Sequence, residues 1–287
     1  TLCKMPYQLA KAIGYFLFSN SFHLQVSASS SKRNIVLLFA DDVGIGDIPG
    51  YVDKPTIPLP NINRLREKGT LFNNAHATPW CSPSRYALLS GNYQYRGTYP
   101  KGSWKISGKS AFPDGQETIA QLLQNNGYDT AMFGKWHLGG KINDHDIDSV
   151  DDQRCKKGKN STCKRKDLNK SLQYGPQDIG FSTSFISTSG IQAPPYTYFR
   201  NGRMTVAKDD LIFYRPGNYE RPRGISKILN PGQGAKDWDT SSYNMRILHN
   251  HEIFLDNHIK MHPNQPFFYL SRSRNNARTI YTPREIY

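Results

Sequence analysis

The sequence is short of cysteine. Only four stand among 287 residues, at positions 3, 81, 155 and 163. That is too few and too scattered for a disulfide framework, and no C-x-x-C pair offers a structural zinc site. Long apolar runs are also missing. The N-terminal stretch Ala12 to Phe18 falls far below the roughly 20 residues that cross a bilayer, so no membrane anchor is expected. Acidic residues are scarce: 23 Asp and Glu face 37 Lys and Arg, a formal charge of +14. Such a balance suits an anionic partner or substrate without naming one. No RRM, OB, zinc-finger or helix-turn-helix signature accompanies it, so no nucleic-acid partner is expected. No internal repeat is visible, and apart from His137 the histidines show no ligand spacing beyond what a helix surface produces.

What is present describes a globular protein. A chain of this length, with 37% hydrophobic and 12% aromatic residues, can bury a real core. Residues 1–28, with Lys4 and Lys11 ahead of the apolar stretch and Val26-Ser27-Ala28 after it, read as a secretory signal peptide cleaved after Ala28; the bland alternative is an amphipathic N-terminal helix. Two glycosylation sequons, at Asn160 and Asn169, fit export. The expected location is the secretory pathway, with a secreted, lysosomal or periplasmic end point. In an oxidising compartment Cys155 and Cys163 are candidates for a local disulfide. That pairing leaves Cys81 as an odd cysteine in want of a chemical explanation.

Strand and helix signals alternate along residues 33–287, which favours an α/β domain with a largely parallel sheet flanked by helices. Asn34 to Ala40 is a continuous apolar run of the kind buried on both faces of a parallel sheet, and it ends in Asp41-Asp42. Asn61 is placed to cap a short helix that Gly69 ends, and Thr70 to Ala77 suggests a strand. Asp114 and Glu117 form a capping-box pattern before a helix over 115–126. Asp129 to Phe133 reads as a strand leading into Gly134-Lys135-Trp136-His137. Residues 140–235 are basic, aromatic and proline-broken, a loop-rich insertion. Residues 242–260 regain helical spacing, and Phe267 to Leu270 reads as a strand. In such sheets ligands bind beyond the carboxyl ends of the strands. Asp41-Asp42 and the Lys135/His137 pair both follow predicted strands, so a shared crevice is open to them.

The densest segment is Cys81-Ser82-Pro83-Ser84-Arg85, running on to Gly91. Ser82 suits a helix N-cap, Pro83 the first helical position and Gly91 the position after the helix. Cys81 is thus expected at a helix N-terminus, where free backbone N–H groups and the positive dipole end attract anions, with Arg85 one turn on as an anion clamp. Two adjacent acids at a strand end call for a bound divalent cation with oxygen ligands. A metal, a helix N-terminus, an Arg, a Lys and a His describe a site that transfers or hydrolyses an oxyanion ester. Trp136 is assigned to packing.

Four collinear motifs carry a resemblance: LLFADDVGIGD around Asp41-Asp42, PNINRLREKGTLFNNAHA at 60–77, CSPSRYALLSG at 81–91 and GKWHLGG at 134–140. Together they resemble the type I sulfatase family, of alkaline-phosphatase-like fold, over its N-terminal catalytic part. The resemblance implies that Cys81 is converted by a formylglycine-generating enzyme to formylglycine, that Asp41, Asp42 and residue 81 hold one calcium ion, and that Arg85, Lys135 and His137 serve the hydrate and the sulfate. It implies hydrolysis of a sulfated small molecule or carbohydrate. The family's remaining Asp and Asn or Gln metal ligands and its second lysine find no copy before Tyr287, and Tyr281 stands where a family histidine is expected, so an incomplete site is expected. The alternatives are a phosphatase, phosphodiesterase or phosphonate hydrolase of the same superfamily, a non-catalytic paralogue, or a polyanion-binding protein that uses the basic runs at 156–166.

Overall fold

The computed structural model describes residues 32–53, 58–100, 103–106, 108–142, 172–191, 193–214 and 230–274. The signal-peptide region, both sequons, Cys155, Cys163 and Tyr281 lie outside the described residues. In chain order the regular elements begin with β1 (Ile35–Asp41), α1 (Pro60–Lys68), α2 (Cys81–Ser90), α3 (Ile119–Asn125) and β2 (Asp129–Lys135). The short strands β3 (Lys141–Ile142) and β4 (Leu172–Gln173) precede β5 (Thr183–Ser187), β6 (Phe199–Arg200) and β7 (Arg203–Met204). The chain continues through β8 (Leu211–Tyr214), β9 (Gly232–Ala235), α4 (Tyr243–Met261) and β10 (Phe267–Arg274).

Six strands form the central sheet in the order β1-β10-β2-β5-β6-β7. The β1/β10, β10/β2 and β2/β5 pairs are parallel, and β5/β6 and β6/β7 are antiparallel. Strand periodicity assigns the faces, because alternate side chains point to opposite sides. Met132 of β2 with Phe268 and Leu270 of β10 pack with Tyr86 and Leu89 of α2 and Ala120 of α3. Ala131 and Phe133 with Phe267 and Tyr269 face the other way, onto Ile247, Phe254 and Leu255 of α4. The result is a helix–sheet–helix arrangement with a core on each face.

Several expectations are corrected. The apolar run of β1 does not lie buried on both faces: Ile35, Val36 and Leu38 are exposed, because β1 is the outermost strand of this sheet. Thr70 to Ala77 forms no strand; Leu71 and Phe72 are exposed and gain no partner to pair with. α1 begins with Pro60 at its first turn after Leu59, while the Asn61 side chain accepts a bond from Arg64 instead of capping. α3 begins four residues after the expected start. The Thr118 hydroxyl caps it by accepting from the Gln121 N–H, whereas 113–116 closes a turn through Gln116 N–H to the Pro113 carbonyl. The loop-rich 140–235 stretch also contains β5, a parallel member of the central sheet.

Two of the seven unassigned histidines prove structural. His258 is buried, its Nδ1 2.8 Å from Asp129 and its Nε2 2.9 Å from the Gln265 carbonyl. His251 lies edge-on to Phe133, ring centroids 4.5 Å apart.

Candidate active site

The carboxyl ends of β1, β10 and β2 bring Asp41, Arg272 and Lys135 to one end of the sheet, where α2 begins. α2 starts at Cys81 itself, with Trp80 as the preceding cap residue, so the cysteine takes the first helical position. Ser82 is not the cap. Its buried hydroxyl donates to the His137 carbonyl at 2.6 Å and accepts from the Trp104 N–H at 3.3 Å. Gly91 ends the helix as expected, left-handed at φ 66°, its N–H on the Ala87 carbonyl.

On the other side, β2 runs out through Gly134 and Lys135 into a turn. Trp136 and His137 donate their N–H groups to the carbonyls of Ser187 and Thr188 at 2.8 Å each, which extends the β2/β5 pairing past its last strand residue. His137 then takes a left-handed backbone, φ 54°, and its Nδ1 lies 3.2 Å from the Cys81 Sγ. Trp136 is fully buried with its indole N–H on the Gly139 carbonyl, which agrees with a packing role.

Electrostatics separate the two adjacent acids. Asp41 is buried, and its Oδ2 lies 2.9 Å from both the Arg85 Nη2 and the Lys135 Nζ. Burial alone would raise its carboxyl, but the charges of Arg85 and Lys135 outweigh that and hold it below the usual carboxylate range. Asp42 is exposed with a left-handed backbone, φ 58°. Arg85 is wholly buried, stacked 5.3 Å from the Phe39 ring, and donates Nη1 to the Lys135 carbonyl at 3.3 Å. It thus engages Asp41 and the β2 end, not open solvent as an exposed clamp would. Burial, reinforced by the charges of Lys135 and Arg85, lowers His137 to about 3, so at neutral pH its imidazole is uncharged and can exchange a hydrogen bond with residue 81.

A second buried guanidinium was missed by sequence reasoning. Arg272 of β10 is fully buried, and its Nη1 donates to the carbonyls of Trp136 at 3.1 Å and Lys135 at 3.4 Å. Nothing in the pattern flags it, since an arginine directly after an apolar strand reads as a surface residue.

Calcium takes six to eight oxygen ligands. Here Asp41 is engaged by two cations and Asp42 is exposed. Among the described residues no group of three or more His, Cys, Asp or Glu side chains is placed to hold a metal. The described donors therefore make only part of a calcium shell.

Comparison with known proteins bears on this geometry. The sulfatase family model matches residues 33–270. The chain belongs to the sulfatase family. An N-acetylgalactosamine-6-O-sulfatase of Bacteroides thetaiotaomicron is 31% identical over 220 residues, covering 72% of this chain and 38% of that protein. Human steryl-sulfatase is 40% identical over 144 residues, 47% of this chain and 23% of the relative. A solved structure from work on glycosaminoglycan metabolism by Bacteroides thetaiotaomicron superposes with a TM-score of 0.63 at 25% identity, over 89% of this chain and 52% of the other. The chain thus spans between about a quarter and a half of the length of these sulfatases, and the mostly parallel sheet flanked by helices is the family's alkaline-phosphatase-like fold.

Proposed function

We propose that the protein hydrolyses sulfate esters, with residue 81 as nucleophile after conversion of Cys81 to formylglycine. The observation that carries this is the meeting of Cys81, His137, Lys135, Asp41 and Arg85 at one end of the sheet, although they come from β1, α2, the end of β2 and the turn after it. Formylglycine at position 81 would supply, as its hydrate, a hydroxyl nucleophile for the sulfate ester. The rest falls to this chain's own groups. The first turn of α2 places residue 81 among free N–H groups that favour an anion. Lys135 supplies the nearest ammonium charge for the ester oxygens. The uncharged His137 exchanges a hydrogen bond with residue 81 and so orients it, and Arg85 fixes the Asp41 carboxylate. Asp41, Asp42 and residue 81 would hold one calcium ion, which would supply positive charge beside the sulfate oxygens.

The substrate is taken to be a sulfated small molecule or carbohydrate, as the names of the relatives suggest. The maturation partner would be a formylglycine-generating enzyme, and the compartment the secretory pathway or periplasm; among the described residues no helix is long and apolar enough to cross a membrane. The test is turnover of an aryl sulfate against an aryl phosphate by the protein, with conversion of Cys81 followed by mass spectrometry. Preference for the sulfate and its loss in Cys81→Ala are expected. Undiminished activity in Cys81→Ala would sink the assignment.

A further inference from the structure

The turn that carries Lys135 and His137 must expose carbonyls as β2 leaves the sheet, and a buried carbonyl needs a donor. Arg272 supplies it from the neighbouring strand. Its Nη1 spans the carbonyls of Trp136 and Lys135 at 3.1 and 3.4 Å, and Arg85 reaches the same Lys135 carbonyl at 3.3 Å from below. The rest of the guanidinium makes no compensating bonds: Nε and Nη2 are buried without a hydrogen-bond partner among the described residues. A fully buried cation in such surroundings is costly. What the structure gets in return is a fixed turn: Gly134 at φ 97° sits against the Arg272 carbonyl, and His137 is held left-handed against Cys81.

We propose that Arg272 is a positioning residue of the site, which by clamping the Lys135 and Trp136 carbonyls holds His137 over residue 81 and Lys135 on Asp41. The importance of those two groups rests on the sulfatase reading above, but the clamp itself is a statement about geometry and can be tested without ester hydrolysis.

The experiment uses the 287-residue chain with Cys81 as the unconverted thiol, verified by mass. The rate of Cys81 alkylation by iodoacetamide is read by peptide mapping, with thermal melting alongside. Arg272→Met removes both bonds at similar volume and is expected to speed alkylation at least about tenfold, the lower bound set by loss of a single hydrogen bond to a charged group. Arg272→Lys restores a cation able to donate to both carbonyls and is expected to return the parent rate within about twofold. Phe254→Leu, a core change on the far face of the sheet, controls for general loosening and should leave the rate alone. A folded Arg272→Met with the parent rate overturns the proposal, as does equal acceleration in Phe254→Leu. Should Arg272→Met fail to fold, Arg272→Gln, which is too short to span both carbonyls, decides: faster alkylation supports the clamp, and the parent rate overturns it. A parent protein inactive on sulfate esters would sink the functional reading and leave this result standing.

Discussion

The Sγ of Cys81 and the Nδ1 of His137 lie 3.2 Å apart although 56 residues separate them in the chain. One begins a helix and the other follows a strand, so the contact exists only if α2 is seated against the β2 end. Ser82 does the seating, through its bond to the His137 carbonyl.

Ser82→Ala should therefore cost about 1–3 kcal/mol, since it strands a half-buried carbonyl and a buried N–H. Urea denaturation would read the loss. An unchanged midpoint would show that the two elements are held together by other contacts.

Asp41 is the counter-ion of two buried cations. Asp41→Asn keeps the shape but leaves Arg85 and Lys135 without their carboxylate, and the expected destabilisation is about 3–5 kcal/mol. Thermal melting checks this; Asp42→Asn, at an exposed position, should change stability by no more than about 0.5 kcal/mol.

Gly134 has no room for a side chain. A Cβ there would stand 2.0 Å from the Arg272 carbonyl oxygen, on a backbone at φ 97°. Gly134→Ala should destabilise by more than about 3 kcal/mol. Gly46→Ala, where a Cβ meets nothing within 4 Å, should be close to neutral.

Acid should weaken the fold through His251. Burial lowers its imidazole to about 3 from an ordinary 6.5. The unfolded chain therefore takes up its proton first as pH falls. The stability His251 permits is complete above about pH 6.5 and declines toward pH 3, on the order of 3 kcal/mol by about pH 4. His251→Phe should remove that share, giving melting temperatures less sensitive to pH over this interval. An equally steep pH dependence in the variant would refute the assignment.

Much of this could be read in the residues, and the exceptions have physical causes. Cys81 at a helix start, the left-handed Gly91 cap, α4 and the strands β2 and β10 follow from local rules: capping chemistry, 3.6-residue spacing and short apolar runs bounded by turns. The true cap of α3 was hidden because Asp114 and Glu117 imitate a capping box, while Thr118 holds the decisive hydroxyl. Thr70 to Ala77 has strand-forming residues, but a strand also needs a neighbour, and periodicity carries no information on that. The site was legible where motifs marked it. Arg272 was not, because its role depends on register with Gly134 across β10 and β2. Asp41 and Asp42 are adjacent in sequence and look alike there. Only the fold shows one as the buried partner of two cations and the other in solvent.

The outer position of β1 has a practical consequence. Its apolar side chains at Ile35, Val36 and Leu38 are exposed, and among the described residues its outer edge pairs with no other strand. An exposed hydrophobic edge strand is a template on which another chain can add. Preparations of this polypeptide should scatter more light as concentration rises, and a lysine at Val36 or Leu38 should keep them clear.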